Sequence, residues 1–372
     1  VDTIVSYAER AFDPLSVESF TPVDSLIFSW FTHFEVSSCV PEVCSPSGAP
    51  IRDLLLAEHF GSYFPSLWDP DKSRQLLVAL AASPRFREVR VSRCVEQIED
   101  AEQLQFAACT FLIGDDLACI AFRGTDRTLV GWKEDFNMAF QCPVPAQVAA
   151  ARYVREFAAA SHRQILIGGH SKGGNLAIYA AAANRREAGD RLVRVYSHDG
   201  PGFLTEYSTS DDLVAIADRI DKTVPQSSIV GMLLDQSNDV RIIKSTRIGL
   251  WQHDPFSWEV EDDDFALVNE LTADARHIDN TLSAWLAEHS QVERERFVNT
   301  IYSLITLPGV RTIDDLIEQW PTLLSAIGSE IAALDPDTKT FMWDMLRGLA
   351  EAGFQQLSTT IKELRSAKEG AQ

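Results

Sequence analysis

The chain has 372 residues, 45% of them hydrophobic and 9% aromatic, with a formal net charge of −21. That is enough chain to bury one large core, or one core and a smaller helical unit, and the ordinary apolar content argues against disorder. The acidic excess argues against nucleic acid and against anionic lipid as partners, because both need clustered Lys and Arg.

Residues 1–90 read as mostly helical, punctuated by Pro14, Pro22, Pro41, Pro46, Pro50 and Pro65, with Cys39 to Pro50 as a surface loop. The start, Val1-Asp2-Thr3, shows no basic segment followed by an apolar one. Ser25 to Phe31 is the kind of apolar run that falls far short of a membrane span, so no transmembrane segment is expected. Six cysteines lack zinc-ligand spacing; Cys109 and Cys119 sit in apolar runs and read as free buried thiols. A disulfide framework is not expected in a core of this size, and a reducing cytoplasm is the expected location.

From Arg87 the pattern changes. Glu88 to Val95 alternates as a half-buried strand does, and Gln105–Ile113 and Leu117–Arg123 form two further runs joined by Gly114-Asp115-Asp116, a hairpin signal. Pro145 to His162 has helical period, Gln164 to Gly169 is a buried strand, and Lys172 to Asn184 is a helix. Strands follow at Leu192–Ser197, Ile220–Val224 and Val240–Lys244, with a helix at Asp211–Arg219. Strands alternating with helices predict a mostly parallel sheet covered on both faces. After Phe265 the pattern is helical to the end, which divides the chain into residues 1–264, carrying the sheet, and a helical extension or subdomain, 265–372, with the acidic run Glu259 to Asp264 as a solvated boundary.

The segment Ile165 to Ala177 carries the chemistry. It is an apolar strand, the turn Gly169-His170-Ser171-Lys172-Gly173, and an alanine-rich helix: the sequence form of a nucleophile elbow, in which the flanking positions must lack side chains. A serine nucleophile needs a base, an acid to orient the base, and two oxyanion donors. Downstream of Ser171 lie His198, His253, His277 and His289. His253 is favoured, because Gly249 to Pro255 is a loop after the last predicted sheet strand; the bland alternative is a loop histidine bonded to backbone. For the acid, Asp199 ranks first, since Asp199-Gly200-Pro201-Gly202 fixes a turn at the sheet's C-terminal edge; Asp221 ranks second, and Asp235 and Asp239 flank the strand before His253. The expected oxyanion donors are the N–H of Lys172, following the nucleophile, and of Thr125, in Phe122-Arg123-Gly124-Thr125 after an earlier strand. The Lys172 side chain is expected to point to solvent, the alternative being that its charge helps to hold an anionic intermediate. Phe203, Leu204 and Tyr207 are candidates for an apolar entrance.

Three segments together resemble the class 3 (fungal-type) lipases: Ile120 to Thr125, Trp132 with Asp135, and Gly169 to Gly174. The resemblance implies Ser171 as nucleophile and Thr125 and Lys172 as oxyanion donors. It favours Asp221 as the acid, through the nearby Val224-Pro225, although Lys222-Thr223 intervene, and Lys172 stands where those lipases have Leu. Residues 5–260 are similar to an uncharacterised bacterial family of lipase-like hydrolases, through Phe20 to Leu26, Val130 to Asn137, Ser197 to Phe203, Ser227 to Met232 and Gln252-His253-Asp254. That similarity implies Asp199 and His253. The expectation is an α/β-hydrolase fold with helical additions at both ends. It would hydrolyse carboxylic esters of a small acyl or lipid substrate without metal or organic cofactor. A thioesterase or peptidase with the same triad, or a non-catalytic scaffold, are the alternatives. Nothing in the sequence sets an oligomeric state.

Overall fold

In a computed structural model, which describes residues 1–65, 69–234, 239–276, 289–306, 310–312 and 335–340 with Leu286, Asp315 and Trp343, eight strands form one sheet in chain order. They are β1 (Ala49–Pro50), β2 (Arg90–Glu99), β3 (Leu104–Ile113), β4 (Leu117–Phe122), β5 (Gln164–His170), β6 (Leu192–His198), β7 (Ile220–Pro225) and β8 (Arg241–Ile243). β1 to β4 pair antiparallel, through the hairpin read at Gly114. β4 to β8 are parallel, so the C-terminal ends of β4, β5, β6 and β7 share one edge.

Strand alternation sorts side chains to two cores. On one face, Cys109, Phe111, Cys119, Ala121 and Leu166 meet the N-terminal helices α1 (Ile4–Arg10) and α2 (Pro22–Phe31), a single turn α3 (Phe60–Tyr63) lying at the margin, and α4 (Pro70–Ala82). On the other, Phe106, Ala108, Ile120, Ile165 and Ile167 meet α6 (Pro145–Ala160) and α7 (Lys172–Ala183). Between β4 and α6 lies α5 (Leu129–Asn137). This mostly parallel sheet, covered on both faces and carrying a strand–elbow–helix at its C-terminal edge, is an α/β-hydrolase fold. The N-terminal helices are thus one of its two covering layers.

The N-terminal layer is pinned by charge as well as by burial. Thr21 and Asp24 form a capping box on α2, and Asp24, fully buried, takes a two-pronged pair from Arg85 at 3.0 and 2.6 Å. Arg85 also donates to the carbonyls of Asp13 and Ser19. A buried pair of this kind holds only because its remaining donors are met.

Four local expectations are corrected. The Cys39–Pro50 loop ends in β1, because Ala49 and Pro50 are buried against Arg90 and Val91. Cys109 is not a free thiol: it forms a disulfide with Cys94 on the neighbouring strand. The predicted helix Asp211–Arg219 is two short turns, Asp211–Val214 and Ala217–Arg219. Phe203, read as part of an apolar entrance, is a buried member of the core on the α6–α7 face. After β9 (Val260–Glu261) and β10 (Asp264–Phe265), Ala266 and Val268 stay extended and bond the Lys244 and Ile242 backbone beside β8. Most of residues 277–372, including His277, and also Asp235 lie outside the described residues. Among the described residues no helix is long and apolar enough to cross a membrane.

Candidate functional site

Ser171 sits between β5 and α7 at φ 59°, ψ −133°, a left-handed conformation that few non-glycine residues adopt. Neighbouring glycines make the turn possible: a Cβ on Gly169 would overlap the Gly173 carbonyl, and one on Gly173 would overlap the Phe122 carbonyl. The turn is tied to the next strand, since Ser171 N–H donates to the His198 carbonyl at 2.9 Å. His170 is in register with His198. Ser171 and Asp199 therefore leave the ends of adjacent parallel strands side by side, and Asp199 also takes a left-handed φ of 51°.

Asp199 is 1% exposed and surrounded by donors. His253 Nδ1–H donates to its Oδ2 at 2.6 Å; Gly231 N–H donates to Oδ1 at 3.1 Å, and the Ser228 hydroxyl makes a short bond to the same oxygen. Asn175, on the first turn of α7, donates to the Gly202 carbonyl at 2.8 Å and holds the Asp199–Gly202 turn against the elbow helix. With Nδ1 engaged, His253 Nε2 forms no hydrogen bond among the described residues.

His253 ends the short helical turn Gly249–His253. Two neighbouring side chains fix that loop. Gln252 accepts from the Ser227 N–H at 2.8 Å and donates to the Arg247 carbonyl at 2.7 Å. His170 Nε2–H donates to the His253 carbonyl at 2.9 Å, and the two rings lie 4.6 Å apart. Burial, with His253 beside it, holds the His170 imidazole well below the usual histidine range, so His170 packs there neutral. The structure brings Asp199 and His253 together directly and seats both beside the elbow; Ser171 Oγ forms no hydrogen bond with His253 in it.

The rival residues lie elsewhere. Asp221 is the second residue of β7, about 7 Å down the strand from Thr223, whose carbonyl receives the Asp199 N–H. There it pairs with Arg241 of β8 at 3.3 Å. His198 is fully buried, donates to or accepts from Ser25 Oγ at 3.0 Å, and is pushed down to about 3 by burial. Asp239 lies in the connection before β8, and His289 precedes the helix Gln291–Ile305.

On the opposite side of Ser171 lie the expected oxyanion donors. Gly124 approaches the elbow so closely that a Cβ there would stand 3.1 Å from Ser171 Cβ. This brings the Gly124–Thr125 peptide beside Ser171. The Thr125 hydroxyl donates to Asp135 Oδ2 on α5 through a short bond. Asp135 Oδ1 is buried with no partner among the described residues, and burial pushes this carboxyl up to about 6, against the pull of Lys172 and the Thr125 hydroxyl.

Lys172 departs most from expectation. Its side chain does not reach solvent but turns inward, 0% exposed. There its ammonium bonds Glu134 Oε2 at 3.0 Å, the Gln105 carbonyl at 2.8 Å and, through a short bond, Gln105 Oε1. Glu134 accepts in turn from Gln105 N–H at 3.1 Å and from Ala146 N–H, in the first turn of α6, at 2.7 Å. Sequence patterning missed Glu134, Gln105, Ser228, Gly231 and Asn175. All lie in segments far from their partners in the chain; the resemblance marked the segments Val130 to Asn137 and Ser227 to Met232 but gave Glu134, Ser228 and Gly231 no role. Among the described residues no group of three His, Cys, Asp or Glu side chains is arranged to hold a metal ion.

The crystal structure of M37 lipase is similar over 59% of this chain and 70% of that one, at 13% identity and a TM-score of 0.35. Comparison with curated proteins found no match. A family model described as Mbeg1-like matches residues 80–303. That match runs through β3, β4, the elbow, Asp199 and the His253 loop, well over half of the chain, and the protein belongs to the Mbeg1-like family.

Proposed function

We propose that the protein is a serine hydrolase, lipase- or esterase-like, that cleaves carboxylic esters through Ser171, His253 and Asp199. The observation that carries this reading is the 2.6 Å bond from His253 Nδ1 to a buried Asp199, beside a serine held at a left-handed φ. Asp199 fixes the tautomer in which Nε2 is the base. In the reaction His253 takes the Ser171 proton, Ser171 Oγ attacks the acyl carbon, and the N–H groups of Lys172 and Thr125 receive the oxyanion. The leaving alcohol takes the proton from His253, and water cleaves the acyl-enzyme by the same steps.

The test is labelling with a fluorophosphonate and hydrolysis of short p-nitrophenyl esters. Both are expected in the wild-type protein and absent in Ser171→Ala. Retained labelling of that variant would overturn the assignment. A second reading, a hydrolase fold used as a binding module without turnover, draws on the missing Ser171–His253 hydrogen bond; a wild-type protein that neither labels nor hydrolyses would favour it.

A further inference from the structure

The serine-hydrolase reading leaves a buried cation unused. An ammonium and a carboxylate, both 0% exposed, sit directly behind the elbow. Taking such a pair out of water carries a large desolvation cost, and a well-packed apolar pair is often as stable or more so. Stability alone therefore gives no reason for Lys172 and Glu134 to be there. Geometry does.

Lys172 carries one expected oxyanion donor on its own backbone, at the first position of α7. Its three ammonium protons are all used, on Gln105 twice and on Glu134 once. Gln105 then extends from its side-chain amide to the Gly124 carbonyl at 3.5 Å, a long contact on the peptide that bears the Thr125 N–H. The next residue on α5 after Glu134 is Asp135, which holds the Thr125 hydroxyl. Two consecutive carboxylates of one helix thus reach the two donors: Glu134 through the Lys172 side chain, Asp135 through Thr125. Glu134 is itself anchored at both oxygens, by Gln105 N–H and Ala146 N–H.

We propose that the Lys172–Glu134–Gln105 network is the positioning device of the oxyanion hole. It sets the spacing between the Lys172 N–H and the Gly124–Thr125 peptide without touching substrate. The proposal rests on the serine-hydrolase reading, so wild-type labelling and ester hydrolysis are measured first; their absence rejects that reading and leaves the network without a role in catalysis.

Given an active wild type, the variants are Glu134→Gln, Lys172→Met and the double variant, each purified as the full chain. Kinetics, thermal midpoint and affinity for an alkyl boronic acid, a tetrahedral mimic, are measured on all three. Misplaced donors lose interactions made only in the transition state. The expectation is a 10- to 100-fold fall in kcat, a change in KM below threefold, and a matching loss of boronic-acid affinity. The double variant leaves no unpaired buried charge, but its glutamine amide faces one of the two backbone N–H groups that Glu134 accepts, so it should regain part of the thermal stability lost by the single variants and still lack kcat. Folded single variants with wild-type kcat would overturn the proposal. So would a double variant in which kcat returns together with stability, since that is the behaviour of a purely structural ion pair.

Discussion

Two carboxylates flank Ser171, Asp199 buried and Asp135 half-buried with one oxygen enclosed, and they are treated in opposite ways. Asp199 receives three donors, from His253, Ser228 and Gly231, spread over both oxygens. Among the described residues Asp135 receives one, from Thr125, while its second oxygen is buried without a partner and burial drives the carboxyl up to about 6. One side fixes a carboxyl group against a histidine with donors on both oxygens. The other holds a hydroxyl with a group whose ionisation is resisted by its surroundings. The difference teaches that burial of an acid does not by itself assign its role; the number of donors aimed at it does.

The largest break in this comparison is at Asp199. Asp199→Asn keeps the shape but replaces an acceptor with an amide, so His253 Nδ1–H loses its carboxylate and the other tautomer is favoured. The expected loss in kcat is roughly 10⁴-fold, with the fold intact by circular dichroism. Asp221→Asn, by contrast, should leave kcat within about threefold, because Asp221 pairs with Arg241 rather than with His253. Equal losses in the two variants would reject Asp199 as the partner of the base.

Much of this arrangement was legible in the sequence, for reasons of locality. The elbow, the β3–β4 hairpin and the Asp199 turn are each encoded within a few consecutive residues, by glycines and by alternation, so the pattern and the fold agree. His253 was legible by chain order and by its place in a loop after the sheet. What was not legible is long-range. Lys172 meets Glu134 at a separation of 38 residues and Gln105 at 67, and nothing local tells a lysine after the nucleophile to turn inward. Cys94 and Cys109 lie on adjacent strands, where only the β2–β3 register brings them into range. Periodicity likewise missed the extended backbone of Ala266 and Val268, because its partner is the Lys244 and Ile242 backbone rather than a buried face.

The next effect in size belongs to Asp135 and is read in stability. Its native pKa, about 6, lies above the ordinary carboxylate value of 3.8, so between these values the folded chain holds more of this proton than the unfolded chain does. Stability from this group therefore falls as pH rises from about 4 to 6 and is level above that. The groups facing it are Lys172 and Thr125, which oppose the rise, and Glu134 and Asp126, which add to it. Asp135→Asn removes the dependence and keeps an acceptor for the Thr125 hydroxyl. Urea unfolding at pH 4, 5, 6 and 7 should show the wild type losing on the order of 3 kcal/mol relative to Asp135→Asn across this window. A constant difference between the two would mean that the carboxyl ionises in the fold as it does in water.

The smallest effect sharpens the Asp199 side. Ser228 gives one of three donors, and its removal leaves Gly231 N–H on the same oxygen and His253 on the other. A hydrogen bond to a charged group contributes more than a neutral one, about 1.5–3 kcal/mol, but the carboxylate here keeps two partners. Ser228→Ala should therefore lower kcat by only about 3- to 10-fold, with KM unchanged, since the hydroxyl acts on the orientation of the acid and not on substrate. The same substitution logic applied across the elbow gives a contrast. Thr125→Val removes the one donor to Asp135 among the described residues and so should favour the protonated carboxyl, moving the stability transition to higher pH. If Ser228→Ala instead costs as much as Asp199→Asn, the three donors act as one unit, and the redundancy argued from their number is wrong.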